Sequence, residues 1–169
     1  TPSMAGELTK LLKGRTGAVI VSETHRFLRD RKHLIITSLP DKSVVITTFS
    51  NLAELRKSGI FSVSIVEPSN LGSLRKTKDI AYFDADLLRF PLILRAWKEG
   101  DSFIPFGMKG RKKVSDFFID LKYPVSEKEK ALVLESEGRI AWIAGERTDN
   151  RFRVTENTKS VLRIRYKGN

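Results

Sequence analysis

No cysteine occurs among the 169 residues of the sequence, and the only two histidines are His25 and His33. Without thiols the chain forms no disulfide framework and offers no thiolate ligand to a metal ion, and two imidazoles are too few for the usual histidine-based centres. Basic neighbours disfavour an imidazolium at both histidines, and neither lies in a context typical of a Ser-His-Asp arrangement. We therefore expect no metal site and no catalytic residue in this chain.

Nucleotide-binding loops are missing as well. The sequence has neither a G-x-x-x-x-G-K-[ST] loop nor a G-x-G-x-x-G run after a strand. The nearest candidate, Gly107-x-x-Gly110, is too short to indicate nucleotide binding by itself. Carboxylates such as Asp116 and Asp149 stand among so many cations that ion pairing is their expected role. We expect no bound cofactor and no nucleotide hydrolysis.

Long apolar runs are the third absence. No uninterrupted stretch approaches the roughly 18 residues that span a bilayer, and the first residues, TPSMAGELTKLL, lack the apolar core of a signal peptide. Together with the lack of cysteine, this pattern predicts a soluble, cytoplasmic protein without a membrane partner. The hydrophobic fraction of 40% is nevertheless enough for a real core in one domain or two small ones.

What the sequence does have is basic charge. Lys and Arg number 31 against 20 Asp and Glu, which gives a formal net charge of +11. Residues 1–79 and residues 80–169 share this excess, so a basic tail is not its source. Such a balance indicates a polyanionic partner, and nucleic acid is the first expectation. A membrane surface is the rival polyanion, but it usually requires a long amphipathic helix with bulky apolar anchors, which the sequence does not offer.

Hydrophobic periodicity predicts many short strands and a few short helices. Helical patterns cover 4–13, 51–57, 114–121 and 126–129, and strand patterns cover 18–21, 34–36, 44–46, 61–66, 80–83, 92–97, 132–134, 140–144 and 162–166. Because most of the strands are joined by short turns, the expected fold class is α+β with mostly antiparallel sheet. The polar stretch 68–78 suggests a loop or hinge, and we place a boundary between segments 1–79 and 80–169.

The segment GDSFIPFGMKGRKKVSDFFIDL, residues 100–121, carries the clearest candidate site. Four cations precede a helix whose apolar face is predicted from Val114 to Leu121, and positive charge at the positive end of a helix dipole favours a bound anion. Gly107 and Gly110 would allow close approach of the backbone. The predicted phosphate-binding cations are Lys109, Arg111, Lys112 and Lys113. A solvated, flexible basic loop is the alternative interpretation.

Three further features have two interpretations each. The basic cluster at residues 26–32 either contacts RNA or is solvated charge at the end of a strand. Arg95 and Asp101 are predicted to form a structural ion pair rather than a catalytic pair. Trp97 and Trp142 lie in apolar strands, which favours the core over a role in stacking on bases.

Three motifs then occur in order. They are R-x-W-x-x-G-D at 95–101, P-x-G-M-x-G-x-K-K-x-S-D-F-F at 105–118 and W-x-x-G-x-R-x-D-x-R-F at 142–152. In this order over roughly 80–166, the sequence resembles the C-terminal domain of tRNA(Ile)-lysidine synthetase. The family joins lysine to the wobble cytidine of isoleucine tRNA, using ATP, with Mg²⁺ expected beside it, in an N-terminal domain that carries an S-G-G-x-D-S loop. No such loop occurs here, so the resemblance implies a C-terminal fragment that is inactive as a ligase alone.

The resemblance also implies a fold like the small module of phenylalanyl-tRNA synthetase beta subunits, with 80–169 as a tRNA-recognition domain and 1–79 as a central segment. The expected partner is isoleucine tRNA. Further cations are expected to extend the phosphate track from the loop: Lys122, Arg147, Arg151 and Arg153. The alternative from a different class is a protein-interaction module through which the ligase forms a homodimer, with the charge serving solubility.

Overall fold

The computed structural model describes residues 4–22, 25–38, 46–73 and 77–168. Helices within these ranges are α1 (Met4–Lys13), α2 (Leu52–Lys57), α3 (Val114–Asp120) and α4 (Val125–Lys130), with short 3-10 turns at Pro68–Ser73 and Asn150–Phe152. The strands are β1 (Val19–Val21), β2 (His25–Asp30), β3 (His33–Ser38), β4 (Thr47–Phe49), β5 (Phe61–Val66), β6 (Ile80–Asp84), β7 (Leu92–Ala96), β8 (Ser102–Phe103), β9 (Lys112–Lys113), β10 (Leu132–Ser136), β11 (Arg139–Ile143), β12 (Arg147–Thr148) and β13 (Val161–Tyr166). All strand pairs in these ranges are antiparallel, which confirms the predicted α+β class. None of the described helices is long and apolar enough to cross a bilayer.

The chain forms two compact units. The small unit comprises residues 1–44 and 121–130, and the large unit comprises 45–120 and 131–169. This division differs from the boundary that the polar stretch suggests near residue 79. The reason is strand pairing between distant segments, because β5 lies before residue 79 and pairs along its whole length with β13 at the end of the chain.

In the small unit, β1, β2 and β3 form one sheet in that order. Leu28 of β2 is buried, and α1 contributes the buried Leu11. The predicted strand at 34–36 is present within β3, but Ile36 is exposed rather than buried. Arg26, from the basic cluster at 26–32, forms an ion pair with Glu129 of α4. At least one cation of that cluster is thus already neutralised within the small unit.

The large unit contains a five-stranded sheet in the order β12-β11-β10-β7-β4 and a three-stranded sheet in the order β5-β13-β6. Its main core includes Trp142 of β11, which is 1% exposed. The indole lies 6.2 Å from the ring of Phe61 and 6.4 Å from that of Phe83, centroid to centroid, so it joins residues of the two sheets. A side chain so deeply buried has no face left for stacking on a base.

Locally encoded elements match the sequence patterns. In β13, Leu162 and Ile164 are buried while Arg165 is exposed, as alternation predicts. The hairpin of β10 and β11 turns at Glu137 and Gly138, and both residues have positive φ, as a two-residue turn of type I′ requires. The predicted strand at 44–46 falls mostly on residues outside the described ranges, and the nearest described strand, β4, begins at Thr47.

A second aromatic cluster fixes α3. Phe117 and Phe118 are buried, and their ring centroids lie 5.2 Å from Phe103 of β8 and 5.5 Å from Trp97, respectively. The apolar face predicted for this helix is therefore present from Val114 to Phe118. Leu121, the fourth residue of the predicted face, lies beyond the helix end and is exposed. The contacts of the two phenylalanines hold the helix directly after the basic segment.

Candidate functional site

The basic segment is a closed hairpin. Strand β8 pairs with β9 through Ser102 opposite Lys113 and Phe103 opposite Lys112. Residues 104–111 are thus the loop of a two-stranded ribbon. We call residues 102–113 the basic hairpin. The sequence predicts the loop and the helix, but it gives no sign of this pairing because each strand has only two residues.

The first half of the hairpin loop is anchored to the segment around Asp149. The Asn150 N–H donates to the Ile104 carbonyl at 2.7 Å, and the Ile104 N–H donates to Asp149 Oδ2 at 2.8 Å. The Phe106 N–H donates to the Thr148 carbonyl at 2.9 Å. The backbone of residues 104–106 is therefore held by hydrogen bonds.

Gly107 and Gly110 serve the hairpin differently. Gly107 has a φ of +85°, a conformation that side chains with a Cβ rarely adopt, and its N–H donates to Asn150 Oδ1 at 3.2 Å. Gly110 has no positive φ, and nothing lies within 4 Å of a Cβ placed there. The turn therefore requires glycine at position 107, and the geometry gives no such reason at position 110.

The four predicted cations of the hairpin differ in their surroundings. Lys109, Arg111 and Lys113 are exposed, and across the described residues none of them forms an ion pair or a side-chain hydrogen bond. Lys112 is instead ion-paired with Asp120 at the end of α3, and its side chain is only 24% exposed. Three cations are thus available to an anionic partner, and the fourth is largely neutralised.

The start of α3 is less open than the sequence suggests. The Val114 N–H donates to the Asp101 carbonyl at 2.9 Å and is therefore not free for an anion. The helix has only seven residues. We therefore assign the anion-binding potential of this region to the side chains of the hairpin and not to the helix terminus.

Arg95 and Asp101 form the ion pair that their spacing predicts. Arg95 Nη1 lies 2.8 Å from Asp101 Oδ2, and Nη2 lies 3.0 Å from Oδ1, which is a bidentate arrangement. Glu135 of β10 is a third member that the sequence does not reveal, with Arg95 Nη2 2.8 Å from its Oε2. The side chains of Asp101 and Arg95 are only 7% and 13% exposed. The guanidinium thus links β7, β10 and the start of the basic hairpin.

The same contacts perturb both ionisation equilibria. Burial alone would raise the pKa of Asp101, but hydrogen bonds from Arg95 and from the Lys98 N–H outweigh it, so the pKa lies below its usual value. The hydrogen bond with Asp101 is the largest cause of a raised pKa for Arg95, opposed by burial and assisted by Glu135. Both residues are therefore charged at neutral pH.

Asp149 forms an ion pair, as the sequence predicts, but the sequence does not indicate that it also anchors the basic hairpin. Its carboxylate is fully buried and pairs with Arg151, with Nη2 2.8 Å from Oδ2 and Nε 2.9 Å from Oδ1. It also accepts the Ile104 and Arg151 N–H groups. The bond with Asp149 raises the pKa of Arg151, with burial opposing it. The position of Asp149 in the third motif is a sequence signal for a role in the site. Its contact with Ile104 spans 45 positions, and no local pattern shows that contact.

The remaining predicted cations are distributed between the two units. Arg147 and Arg153 are exposed in the large unit, on either side of Asp149, and Arg153 Nη1 donates to the Asn150 carbonyl at 3.2 Å. Arg151 is partly engaged by Asp149. Lys122 belongs to the small unit, where it is exposed with a φ of +53°. The structure therefore places Arg147, Arg151 and Arg153 in the unit of the basic hairpin, and Lys122 in the other.

Two apolar side chains at the loop tip add to the candidate surface. Phe106 is 50% exposed and Met108 is 46% exposed, beside the cations of the hairpin. An exposed aromatic ring among cations is a common feature of surfaces that bind unpaired nucleotides. The sequence offers a signal for their exposure, because both residues lie between Pro105 and Gly110 in a loop without apolar periodicity.

Models of two protein families match the chain. Residues 92–166 match the family described as the TilS substrate C-terminal domain, and residues 1–39 match the TilS substrate binding domain. The first match contains the basic hairpin and the Asp149 segment.

Named relatives cover the chain almost completely. A tRNA(Ile)-lysidine synthase of Parabacteroides distasonis is 43% identical over 174 residues, which include 99% of this chain and 39% of the relative. A tRNA(Ile)-lysidine synthase of Bacteroides thetaiotaomicron is 38% identical over 156 residues, 92% of this chain and 34% of the relative. The chain thus spans little more than a third of the length of these relatives.

The fold also resembles a solved structure. A crystal structure of a TilS C-terminal domain superposes with a TM-score of 0.51 at 18% identity, covering 73% of this chain and 92% of that one. At this identity the likeness concerns the fold alone.

Proposed function

We propose that this chain, which belongs to the tRNA(Ile)-lysidine synthase family, is the C-terminal part of such a synthase and that its function is to bind tRNA. The observation that carries the proposal is the basic hairpin. Three exposed cations without acidic partners stand on a loop whose first half is fixed by hydrogen bonds to a buried aspartate segment. A loop that is partly held by hydrogen bonds loses less conformational entropy when its cations bind a polyanion.

The mode of binding follows from the chemistry of RNA helices. Their deep, narrow major groove hides the base edges, so a globular basic module contacts phosphates and 2′-hydroxyls and reads shape. Lys109, Arg111 and Lys113 are the proposed phosphate contacts, with Arg147 and Arg153 as a second group. Phe106, half-exposed at the loop tip, supplies a ring for an unpaired base.

The proposed partner is isoleucine tRNA, because the relatives carry the name tRNA(Ile)-lysidine synthase. In the proposed whole enzyme, an ATP-dependent ligase of the cytoplasm, another domain joins lysine to the wobble cytidine. This chain contributes no group to that chemistry. Its residues hold the substrate RNA while the ligase domain acts, which lowers the entropic cost of bringing the anticodon to the reaction centre.

The second candidate function is self-association. It is favoured by the exposed apolar residues Val19 and Val21, which share one face of the sheet of the small unit. Gel filtration at several concentrations separates the two functions. A monomer whose elution volume shifts on addition of tRNA supports RNA binding. A dimer that forms with rising concentration and does not respond to tRNA supports self-association.

Ribonuclease footprinting of the chain on isoleucine tRNA tests the proposal directly. We expect a protected patch that the parent chain produces and that a Lys109→Ala, Lys113→Ala variant loses. The matched control is Arg56→Ala, Lys57→Ala, which removes the same charge from exposed positions of α2 in the same unit. No protection by the parent, or equal loss with the control, would contradict the proposed function.

A further inference from the structure

A polar cleft of about 220 Å³ lies in the large unit, and residues of the basic hairpin form part of its wall. Four arginines from separate segments line it: Arg95, Arg111, Arg139 and Arg151. Among the described residues, Asp101 is the one acidic residue of the lining. We propose that this cleft binds a single phosphate group of RNA, held by the arginines that have N–H groups to spare.

Arg95 has no donor left for a ligand. A guanidinium has five N–H groups. Those of Arg95 are directed to Asp101, to Glu135 and to the Ala96 carbonyl, with N···O distances between 2.8 and 3.1 Å. Arg95 is therefore part of the frame of the cleft. Its bidentate bond also satisfies the carboxylate of Asp101, which accepts the Lys98 N–H as well, so that this acid is not an open site for a cation.

The other three arginines have unused donors. Arg151 gives its Nε–H and one Nη2–H to Asp149, which leaves three N–H groups. Arg139 gives one Nη2–H to Glu137 and keeps four. Within the described part of the chain, Arg111 has no ion pair or side-chain hydrogen bond, so all five of its N–H groups are available. The three arginines with spare donors thus all line the same cleft.

Phosphate is the chemical group that suits these donors. Forked guanidinium groups match the oxygen spacing of phosphate, and a concave site lets several of them reach one tetrahedral group. Arg151 is preorganised because the fully buried Asp149 holds it in place. Arg111 and Arg139 are exposed, and the guanidinium of Arg139 also lies 6.0 Å from the ring centroid of Phe152. Glu137, the acid paired with Arg139, is 53% exposed, and water screens this ion pair.

The identity of the ligand as RNA rests on the proposed function, but the phosphate chemistry of the cleft does not. The phosphate is either a terminal monoester or a diester of the RNA backbone. Arg139 allows phosphate binding by the cleft to be tested separately from RNA binding by the basic hairpin, because it lines the cleft and is not a member of the hairpin. Failure of the cleft would leave RNA binding by the hairpin intact, and failure of RNA binding would leave phosphate binding measurable.

The first experiment titrates the 169-residue chain with inorganic phosphate at constant ionic strength and follows the arginine Nε–H resonances by NMR. We expect the resonances of Arg111, Arg139 and Arg151 to move together. Arg139→Gln should weaken phosphate binding by about fivefold or more, and Arg139→Lys should recover only part of the affinity, because it restores the charge without the fork. The control Arg56→Gln removes one exposed charge from α2 and should change the affinity less than about twofold.

The second experiment compares two short single-stranded oligoribonucleotides that differ only in a 5′-phosphate or a 5′-hydroxyl. Tighter binding of the phosphorylated strand, lost in Arg139→Gln, identifies a terminal monoester as the ligand. Equal binding of both strands, weakened in Arg139→Gln, identifies a backbone diester. Parent affinity for phosphate and for both strands in Arg139→Gln, or equal weakening by Arg56→Gln, would overturn the proposal.

Discussion

Asp101→Asn tests the structural ion pair that holds the start of the basic hairpin. The substitution keeps the size of the side chain and removes the charge that faces Arg95. Breaking one partner of a buried pair typically costs about 3 to 5 kcal/mol. Glu135 still faces the guanidinium, so we expect a smaller cost than this, about 2 to 3 kcal/mol. For a chain of this length that corresponds to a melting temperature lower by about 5 to 10 °C.

At acid pH the difference in stability between the parent and Asp101→Asn should disappear. The pKa of Asp101 is lowered in the folded protein, so its charge stabilises the fold above the ordinary aspartate pKa of about 3.9. That stabilisation is lost as the pH falls from there through the lowered value. We expect parent and variant to differ most near neutral pH and to converge as the pH falls through the lowered pKa of Asp101.

Thermal unfolding followed by circular dichroism between acid and neutral pH measures both effects. The matched control is Asp86→Asn, which removes an exposed carboxylate from the same unit and should have little effect on stability. The salt dependence of tRNA binding should be the same in Asp101→Asn and the parent, measured below the melting range. Unchanged stability with collapsed tRNA binding would refute the structural interpretation and make Asp101 a contact residue.

Three other results are expected. Lys113→Ala should weaken tRNA binding at low salt more than Lys112→Ala, because Lys112 is ion-paired with Asp120; equal effects in an equilibrium binding assay would contradict this. Asp149→Asn should destabilise the large unit in thermal melts by about 3 kcal/mol, because it leaves Arg151 facing a neutral group, and a melting curve like the parent's would show that the pair contributes little. The chain alone should show no lysine-dependent ATP turnover in an assay that detects both phosphate and pyrophosphate, and any such turnover would contradict its role as a binding part.

Local patterns in the sequence predict the elements that carry their own signal. Helix α3 has an apolar face, β13 alternates, and the β10–β11 hairpin turns at a glycine. What the patterns miss is long-range pairing. Strand β5 pairs with β13 across about a hundred positions, so the compact units do not divide near residue 79.

For the site residues too, local contacts are predictable from the sequence and long-range contacts are not. The Arg95 and Asp101 pair is six positions apart and is predictable, whereas Glu135 reaches Arg95 across 40 positions. By residue type alone, Lys112 and Lys113 are equally good candidates for phosphate binding. Their burial differs because Lys112 lies opposite Phe103 in the hairpin and reaches Asp120, and no property of the run R-K-K distinguishes them.

The salt dependence of tRNA affinity tests the phosphate-binding role of the basic hairpin most directly. Each phosphate contact contributes roughly 0.7 to 0.9 to the slope of log K against log salt, so three contacts reduce affinity about 20- to 40-fold between about 50 and 200 mM salt. The variant Lys109→Ala, Arg111→Ala, Lys113→Ala should flatten the slope by roughly 2 to 3 units. The control Arg56→Ala, Lys57→Ala, Lys159→Ala removes equal charge from exposed sites of the large unit and should change it by about half a unit or less. A folded hairpin variant that keeps the parent's affinity and slope, or a control that flattens the slope equally, would contradict this role.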